Sequence, residues 1–319
     1  MTISQYFQIQ LKTILRPLLA LLINMFKVED ADFGYYDNFD YWQNRGFYII
    51  PKHFYQPIPD TSEIESSYFK RKFSMVGVNM DEKKQLQILD RFKKFDNEYS
   101  AFKKIKKGVD DQDDPNFYFN NLAFDGVDAL VYYCMIRTVK PDKIIEVGSG
   151  WSTKVAAQAC IKNGNTKLMA IEPYPQPILA KGFVGLSKLI RKKVQDVRIE
   201  HFKTLKANDI LFIDSSHTVK TAGDVNYLFL EVLPNLKRGV YIHIHDIFFP
   251  FDYPKEWVLT EHRFWAEQYI LHAFLLFNDS FKVVYANNYM FSKYLSQVRK
   301  TFPLSPMFSG GSVWLQKIR

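Results

Sequence analysis

From residue 117 onward the apolar positions change period again and again. Short continuous runs, typical of buried strands, alternate with the three-to-four spacing of helices. Strand-like runs cover 143–147, 167–172, 197–202, 209–214, 239–246, 281–286 and 312–317. Helical spacing covers 122–139, 153–163, 177–193, 219–236 and a long stretch at 256–277. This alternation predicts an α/β fold: a doubly wound, Rossmann-like, mostly parallel seven-stranded sheet with helices on both faces. The last two strands, separated by a long loop at 287–311, predict an antiparallel C-terminal hairpin at the sheet edge.

Residues 1–115 lack that alternation and read as a helical and irregular N-terminal cap region, with the main domain over 116–319. Within the cap, Leu86, Leu89, Phe92, Phe95, Tyr99 and Phe102 recur at helical spacing over 81–107. Segment 32–60 is rich in Tyr, Phe, Asp and Pro, and its prolines force extended or turn geometry. The polar run 110–115 is a linker. Near the start, Lys12 and Arg16 flank an apolar run that ends at Phe26. It is about half the ~20 residues a membrane span needs, and no small-residue cleavage site follows it. It reads as a helix docked on the protein's own surface, or as a peripheral membrane contact through residues 12–26.

Composition narrows the picture. The 319 residues are 47% hydrophobic and 24% charged, which suits a globular chain with a sizeable core. The net charge is +8, and its densest patch, Lys188, Arg191, Lys192 and Lys193, reads as the solvated face of a helix. No zinc-finger, RNP or basic-zipper pattern accompanies it, so no nucleic-acid partner is expected. The two cysteines, Cys134 and Cys160, lie in apolar helical patterns and read as core fillers in a reducing, cytoplasmic setting. Aromatics at 16% suit thick packing or a greasy cleft, and the composition is compatible with a homo-oligomer.

Chemistry concentrates at strand ends, where open α/β sheets bind their ligands. The first strand runs into Glu146-Val147-Gly148-Ser149-Gly150 and then a helix that Ser152 is placed to cap. The glycines allow close approach of a ligand to the backbone. The carboxylate before the turn repels a pyrophosphate and suits an ammonium group. Glu172 ends the next strand, where an acid can accept hydrogen bonds from ribose hydroxyls. With Asp209–Asp214 as a further strand, these motifs resemble the class I S-adenosylmethionine-dependent methyltransferases, over about 117–317. The resemblance implies that Gly148, Ser149 and Gly150 wrap the methionine part, Glu172 holds the ribose, and 196–206 borders the adenine. It also lays 117–121 over the cofactor, with Asn120 or Asn121 as a contact to the methionine carboxylate or the substrate.

The fourth strand ends in Asp214-Ser215-Ser216-His217 and the fifth in His243-Ile244-His245-Asp246. Parallel strands bring these ends to one rim, with His243 and His245 on a shared face. Asp214, His245 and Asp246 are therefore candidate ligands for a divalent cation, Mg, Mn or Fe. His217 is placed as a general base beside Asp214. This rim resembles the macrocin- and mycinamicin-type sugar O-methyltransferases, which carry a metal-bound Asp, a base His three residues on, and an acidic pair ending the fifth strand. The departure is His245, where those enzymes have an acid or amide. Asp224 fits the broader pattern and equally a helix cap. The aromatic segment 248–254 should flank the acceptor pocket, whereas 53–60 should pack on the core. The expected activity is metal-assisted O-methylation of a small-molecule hydroxyl acceptor, sugar-containing or a secondary metabolite. Two alternatives are an iron-dependent hydroxylase or oxidoreductase on the same frame, and a non-catalytic adenosylmethionine-binding module.

Overall fold

The computed structural model describes residues 3–25, 39–50, 52–104, 114–121, 123–307 and 310–319. The chain divides into two compact units, Met1–Glu65 and Ser66–Arg319.

In the first unit, helix α1 (Ile3–Asn24) carries a leucine-rich face. Leu11, Leu15, Leu18, Leu22 and Met25 recur at three-to-four spacing, bordered by Leu19 and Leu21, and all seven are exposed. Lys12, Arg16 and Asn24 fall on the opposite arc. Among the described residues no helix is long and apolar enough to cross a membrane. The 53–60 segment also belongs to this unit, with Phe54 and Tyr55 exposed.

The second unit opens with α2 (Glu82–Phe92), whose first turn is capped by the Asp81 carboxylate accepting from the Lys84 amide at 3.3 Å. Its buried stripe of Leu89 and Phe92, continued by Phe95 and Tyr99, lies in the same hydrophobic core as the sheet. The division between units thus falls well before residue 115, because this apolar stripe is buried with the sheet rather than in a separate cap. Most of the expected 110–115 linker lies outside the described residues.

Around the sheet run α3 (Gly126–Val139), β1 (Lys143–Val147), α4 (Trp151–Asn163), β2 (Lys167–Ile171), α5 (Pro177–Lys181), β3 (Leu186–Ile190), β4 (Ile210–Ile213), the helical turn segment α6 (224–235), β5 (Tyr241–His245), α7 (Lys255–Leu259), α8 (Glu267–Leu275), β6 (Phe281–Ala286), α9 (Asn287–Thr301) and β7 (Ser312–Lys317). The strand order is β3-β2-β1-β4-β5-β7-β6. The first five strands are parallel; β7 inserts antiparallel between β5 and β6. The expected doubly wound sheet with its antiparallel C-terminal hairpin is what the chain forms.

One cross-strand row explains much of the core. The register aligns Glu146 with Phe212, Phe212 with His243, and His243 with Trp314. The rings of Phe212 and His243 stack at 4.3 Å and 3°. Tyr132 of α3 lies over the row, 4.5 Å from the Phe212 ring, and donates to Glu146 Oε1 at 2.8 Å. Helix α3 is buried from Gly126 to Ile136. Each large apolar side chain so buried contributes roughly 1.5–3 kcal/mol.

Several element boundaries differ from expectation, each for a local reason. Gly182 and Gly185 adopt φ of +75° and +97° and end the 177–193 helix after one turn. The chain then enters the edge strand β3, so the basic cluster lies on and beyond an edge strand, where exposed lysines discourage edge-to-edge pairing. The 197–202 run is not a strand: it is irregular over 197–199 and then enters a short helix at Glu200–Lys203. The long 256–277 helix is broken into α7 and α8 by a loop in which His262 has φ +55°. The 287–311 loop contains α9, kinked at Tyr294.

Candidate active site

Beyond the carboxyl ends of β1, β2 and β4 lies a cleft of about 460 Å³ walled by Gly148, Glu172, Tyr174, Val194, Gln195 and Asp214 among others. The Gly148 turn is pressed against β4: at φ +77°, a Cβ there would lie 1.7 Å from the Asp214 carbonyl oxygen, so only glycine fits. Glu172 braces the turn, accepting from the Ser149 amide at 3.2 Å and the Tyr174 amide at 2.8 Å. Glu146 Oε2, Ser149 Oγ and Ser215 Oγ, on residues beside this turn and Asp214, are buried without a protein partner. Buried polar atoms are almost always satisfied, so such a group points to a polar ligand.

The structure revises several expectations about this cleft. Glu146 is fully buried in the core row under Tyr132 rather than standing at the cleft wall, because strand alternation turns it toward α3. The N-cap of the helix is Gly150, whose amide donates to Thr153 Oγ1 at 3.1 Å, while Ser152 is buried in the first turn. Asn121 is spent within its own loop. It donates to the carbonyls of Tyr118 and Phe124 and accepts from the amides of Ala123 and Phe124. The wall next to β3 is formed by 193–195, upstream of the 196–206 segment.

At the neighbouring rim, Asp214, His217 and Asp246 each offer a ligand atom, all within 4.8 Å of one another. His217 Nε2 lies 3.2 Å from Asp214 Oδ1 and 3.5 Å from Asp246 Oδ2. His217 and Asp246 both hold left-handed backbone, φ 57° and 55°. Such strain costs of order 1 kcal/mol or more per residue and clusters where geometry serves a site. His245 Nε2 lies 3.6 Å from Asp246 Oδ1. Its partner in the row, His243, is buried in the aromatic stack, and burial pushes its pKa well below the ordinary value.

A residue that the sequence pattern did not single out completes this rim. Glu267, wholly buried at the start of α8, sits 2.7 Å from His217 Nδ1. The amides of Ala266 and Glu267 both donate to the His217 carbonyl, at 2.9 and 3.1 Å. The ring of Trp265 packs 4.3 Å from that of His217. The signal was present: Glu267, Leu271 and Leu275 share one helical stripe, and an acid on an apolar stripe is seldom idle.

Electrostatics at the rim are dominated by crowding. Burial pushes Asp214 up, but His245 and His217 outweigh it and hold the carboxyl below the usual range. Burial pushes Asp246 up to about 6. Burial pushes His217 down, and its hydrogen bonds to Asp214 and Glu267 overcome this and raise it well above the ordinary value. Asp224 accepts from the Ser216 amide at 2.9 Å and from its hydroxyl at 2.6 Å, fixing the loop between Asp214 and His217. Phe248, Tyr253, Trp257 and Trp265 form an aromatic wall beside His217, with Phe248 to Trp257 at 5.1 Å and Trp257 to Trp265 at 5.3 Å.

Residues 145–247 match the family model of a methyltransferase domain. An uncharacterized protein of Archaeoglobus fulgidus is 32% identical over 178 residues, which cover 50% of this chain and 75% of that one. Among solved structures, the O-methyltransferase TomG of Streptomyces achromogenes, in complex with SAM, is similar at a TM-score of 0.44 and 14% identity, covering 72% of this chain and 99% of that one. A putative O-methyltransferase from Klebsiella pneumoniae is similar at a TM-score of 0.35 and 12% identity, covering 73% and 90%. The glycine turn, the strand order around it and the family match coincide on the same residues, and residues 145–247 form a methyltransferase domain.

Proposed function

We propose that this enzyme transfers the methyl group of S-adenosylmethionine to a hydroxyl of a sugar-containing or secondary-metabolite acceptor, assisted by a divalent cation at the Asp214–Asp246 rim. The observation that carries this reading is the shared position of Asp214, which walls the cofactor cleft and also faces His217 and Asp246. The cofactor fits the cleft by its chemistry. Ser149 Oγ and Ser215 Oγ, beside the glycine turn and Asp214, are buried hydroxyls without a protein partner, and Glu172 on the cleft wall is placed for ribose hydroxyls. The donor set at the rim, two carboxylates and an imidazole, fits a divalent cation such as Mg or Mn. When bound, such a cation orients and acidifies a hydroxyl. His217 enters this reading in one of two roles, as base for the hydroxyl proton or as third donor to the cation. The aromatic wall beside it suits a ring-bearing acceptor.

Calorimetry with adenosylmethionine and with NAD, followed by transfer assays on glycosides and phenols with and without EDTA, tests the proposal. The expected result is binding of adenosylmethionine alone, and transfer to a hydroxyl that EDTA suppresses. Binding of NAD instead, or transfer indifferent to EDTA, overturns the reaction or the cation respectively.

The same proposal lays α1 on an anionic membrane surface. Its seven exposed apolar residues span an arc of roughly 160° at 3.6 residues per turn, wider than the narrow seam of a two-stranded coiled coil. Lys12 and Arg16 stand just outside one border of that arc, where cationic side chains reach lipid phosphates.

A further inference from the structure

We infer that His217, held by Glu267, is the nitrogen ligand of the cation site, and that His245, which sequence position favours, is not. The inference rests on the cation-assisted reading above and deepens it. Imidazole has two nitrogens, and here each has one direction only. Nδ1 lies 2.7 Å from Glu267 Oε2, and both residues are buried. Nε2 points between Asp214 and Asp246, at 3.2 and 3.5 Å. If Nδ1 carries the proton donated to Glu267, Nε2 presents a lone pair to two carboxylate oxygens. Three lone-pair donors converging on one point repel each other unless a cation stands among them. A histidine that gives its outer N–H to a carboxylate while its other nitrogen faces the ion is the usual orientation of metal-bound imidazole.

His217 is also built to stay put. Helix α8 grips it three times over: through the Glu267 carboxylate, through the amides of Ala266 and Glu267 on its carbonyl, and through the Trp265 ring. His245 is differently placed. Its Nε2 comes within 3.6 Å of Asp246 Oδ1 but it falls outside the group of atoms lying within 4.8 Å of one another. Glu267 is accordingly a positioning residue, acting through His217.

The test uses the full chain and Mn²⁺, with affinity read from the EPR signal of the free ion and ligand identity read from the ¹⁴N coupling in pulsed EPR of the bound ion. The wild type is expected to bind Mn²⁺ with an imidazole nitrogen coupling. His217→Gln should remove the coupling and weaken binding at least as much as Glu267→Gln, for which loss of an outer-sphere partner predicts roughly 10–100-fold. His245→Gln should keep the coupling, with affinity within about threefold. Glu267→Asp should recover part of the loss seen in Glu267→Gln. Adenosylmethionine binding by calorimetry is followed in every variant, and a variant that retains it has kept its fold. Should His217→Gln destabilise the chain, the wild-type and His245→Gln spectra decide alone. A coupling that disappears in His245→Gln, or a wild-type Mn²⁺ complex with no nitrogen coupling, overturns the assignment. Wild type that binds adenosylmethionine but no Mn²⁺ overturns the cation site and leaves methyl transfer standing, whereas failure to bind adenosylmethionine strikes the methyltransferase reading itself.

Discussion

At the scale of single residues, Glu146 shows how position and role part company. Its place before the glycine turn was legible, and its neighbourhood was not. The period of two says only that it shares a face with Gly148. It does not say that Tyr132, fourteen residues upstream on a helix, closes over that face. Burial pushes the Glu146 carboxyl up to about 8, so the folded chain retains a proton that the unfolded chain releases near the ordinary value of 4.5. Stability from this group is therefore whole at low pH and lost progressively between about pH 4.5 and 8. Glu146→Gln, which does not titrate, is expected to melt above wild type by a margin that widens over that window, on the order of a few kcal/mol by pH 8. The same variant should leave adenosylmethionine binding essentially unchanged, since Glu146 stands in the core row rather than on the cleft wall. Thermal melts across pH and calorimetry read the two separately, and a melting difference independent of pH would refute the first. Gly148→Ala should fail more simply: left-handed backbone and a Cβ driven into the Asp214 carbonyl predict a loss of roughly 3 kcal/mol or more in chemical denaturation.

At the scale of elements, legibility depended on burial. Strands β1, β4 and β5 lie inside the sheet with both faces covered, so their apolar runs are continuous and their ends, with Asp214, His245 and Asp246, were placed correctly. Strand β3 is an edge with exposed Ser187 and Lys188, and a half-solvated strand of five residues leaves little pattern to read. Helix α9 is masked by its polar Asn, Ser and Lys positions, and the break between α7 and α8 has no proline or glycine to announce it. Glu267 disappeared into that supposed long helix. The stacked row makes an element-scale prediction through His243. Held neutral in the folded state, with its pKa pushed below the ordinary 6.5 by burial, it takes up a proton only on unfolding. Its contribution is present above pH 6.5 and is lost as pH falls below it. His217, raised by Asp214 and Glu267, runs in the opposite sense, so the comparison must be between variants. His243→Phe keeps the stack on Phe212 and removes two buried nitrogens without protein partners. Its melting temperature should fall less than that of wild type between pH 7.5 and 5.5; equal slopes would remove His243 from the account.

At the scale of the whole molecule, the membrane contact proposed above would draw on both the net charge of +8 and the exposed apolar face of α1. An interfacial helix binds through apolar area sunk at the headgroup boundary, reinforced by cations near anionic lipid. Each Lys or Arg near such a surface is worth about 1 kcal/mol, and that part is screened by salt. Vesicle flotation should therefore show three things together. Vesicles containing phosphatidylserine should carry the protein, and vesicles of phosphatidylcholine alone should carry several-fold less. Raising the salt from about 0.1 to 0.5 M should weaken binding to the first far more than to the second. Leu18→Glu with Leu22→Glu should abolish flotation on both while leaving adenosylmethionine binding unchanged, since α1 lies in the unit that does not contain the cofactor cleft. If the leucine face serves a second copy of the chain instead, light scattering will report a dimer that the double variant converts to monomer, and flotation will be absent from the start. That pair of results would assign α1 to self-association and end the membrane reading.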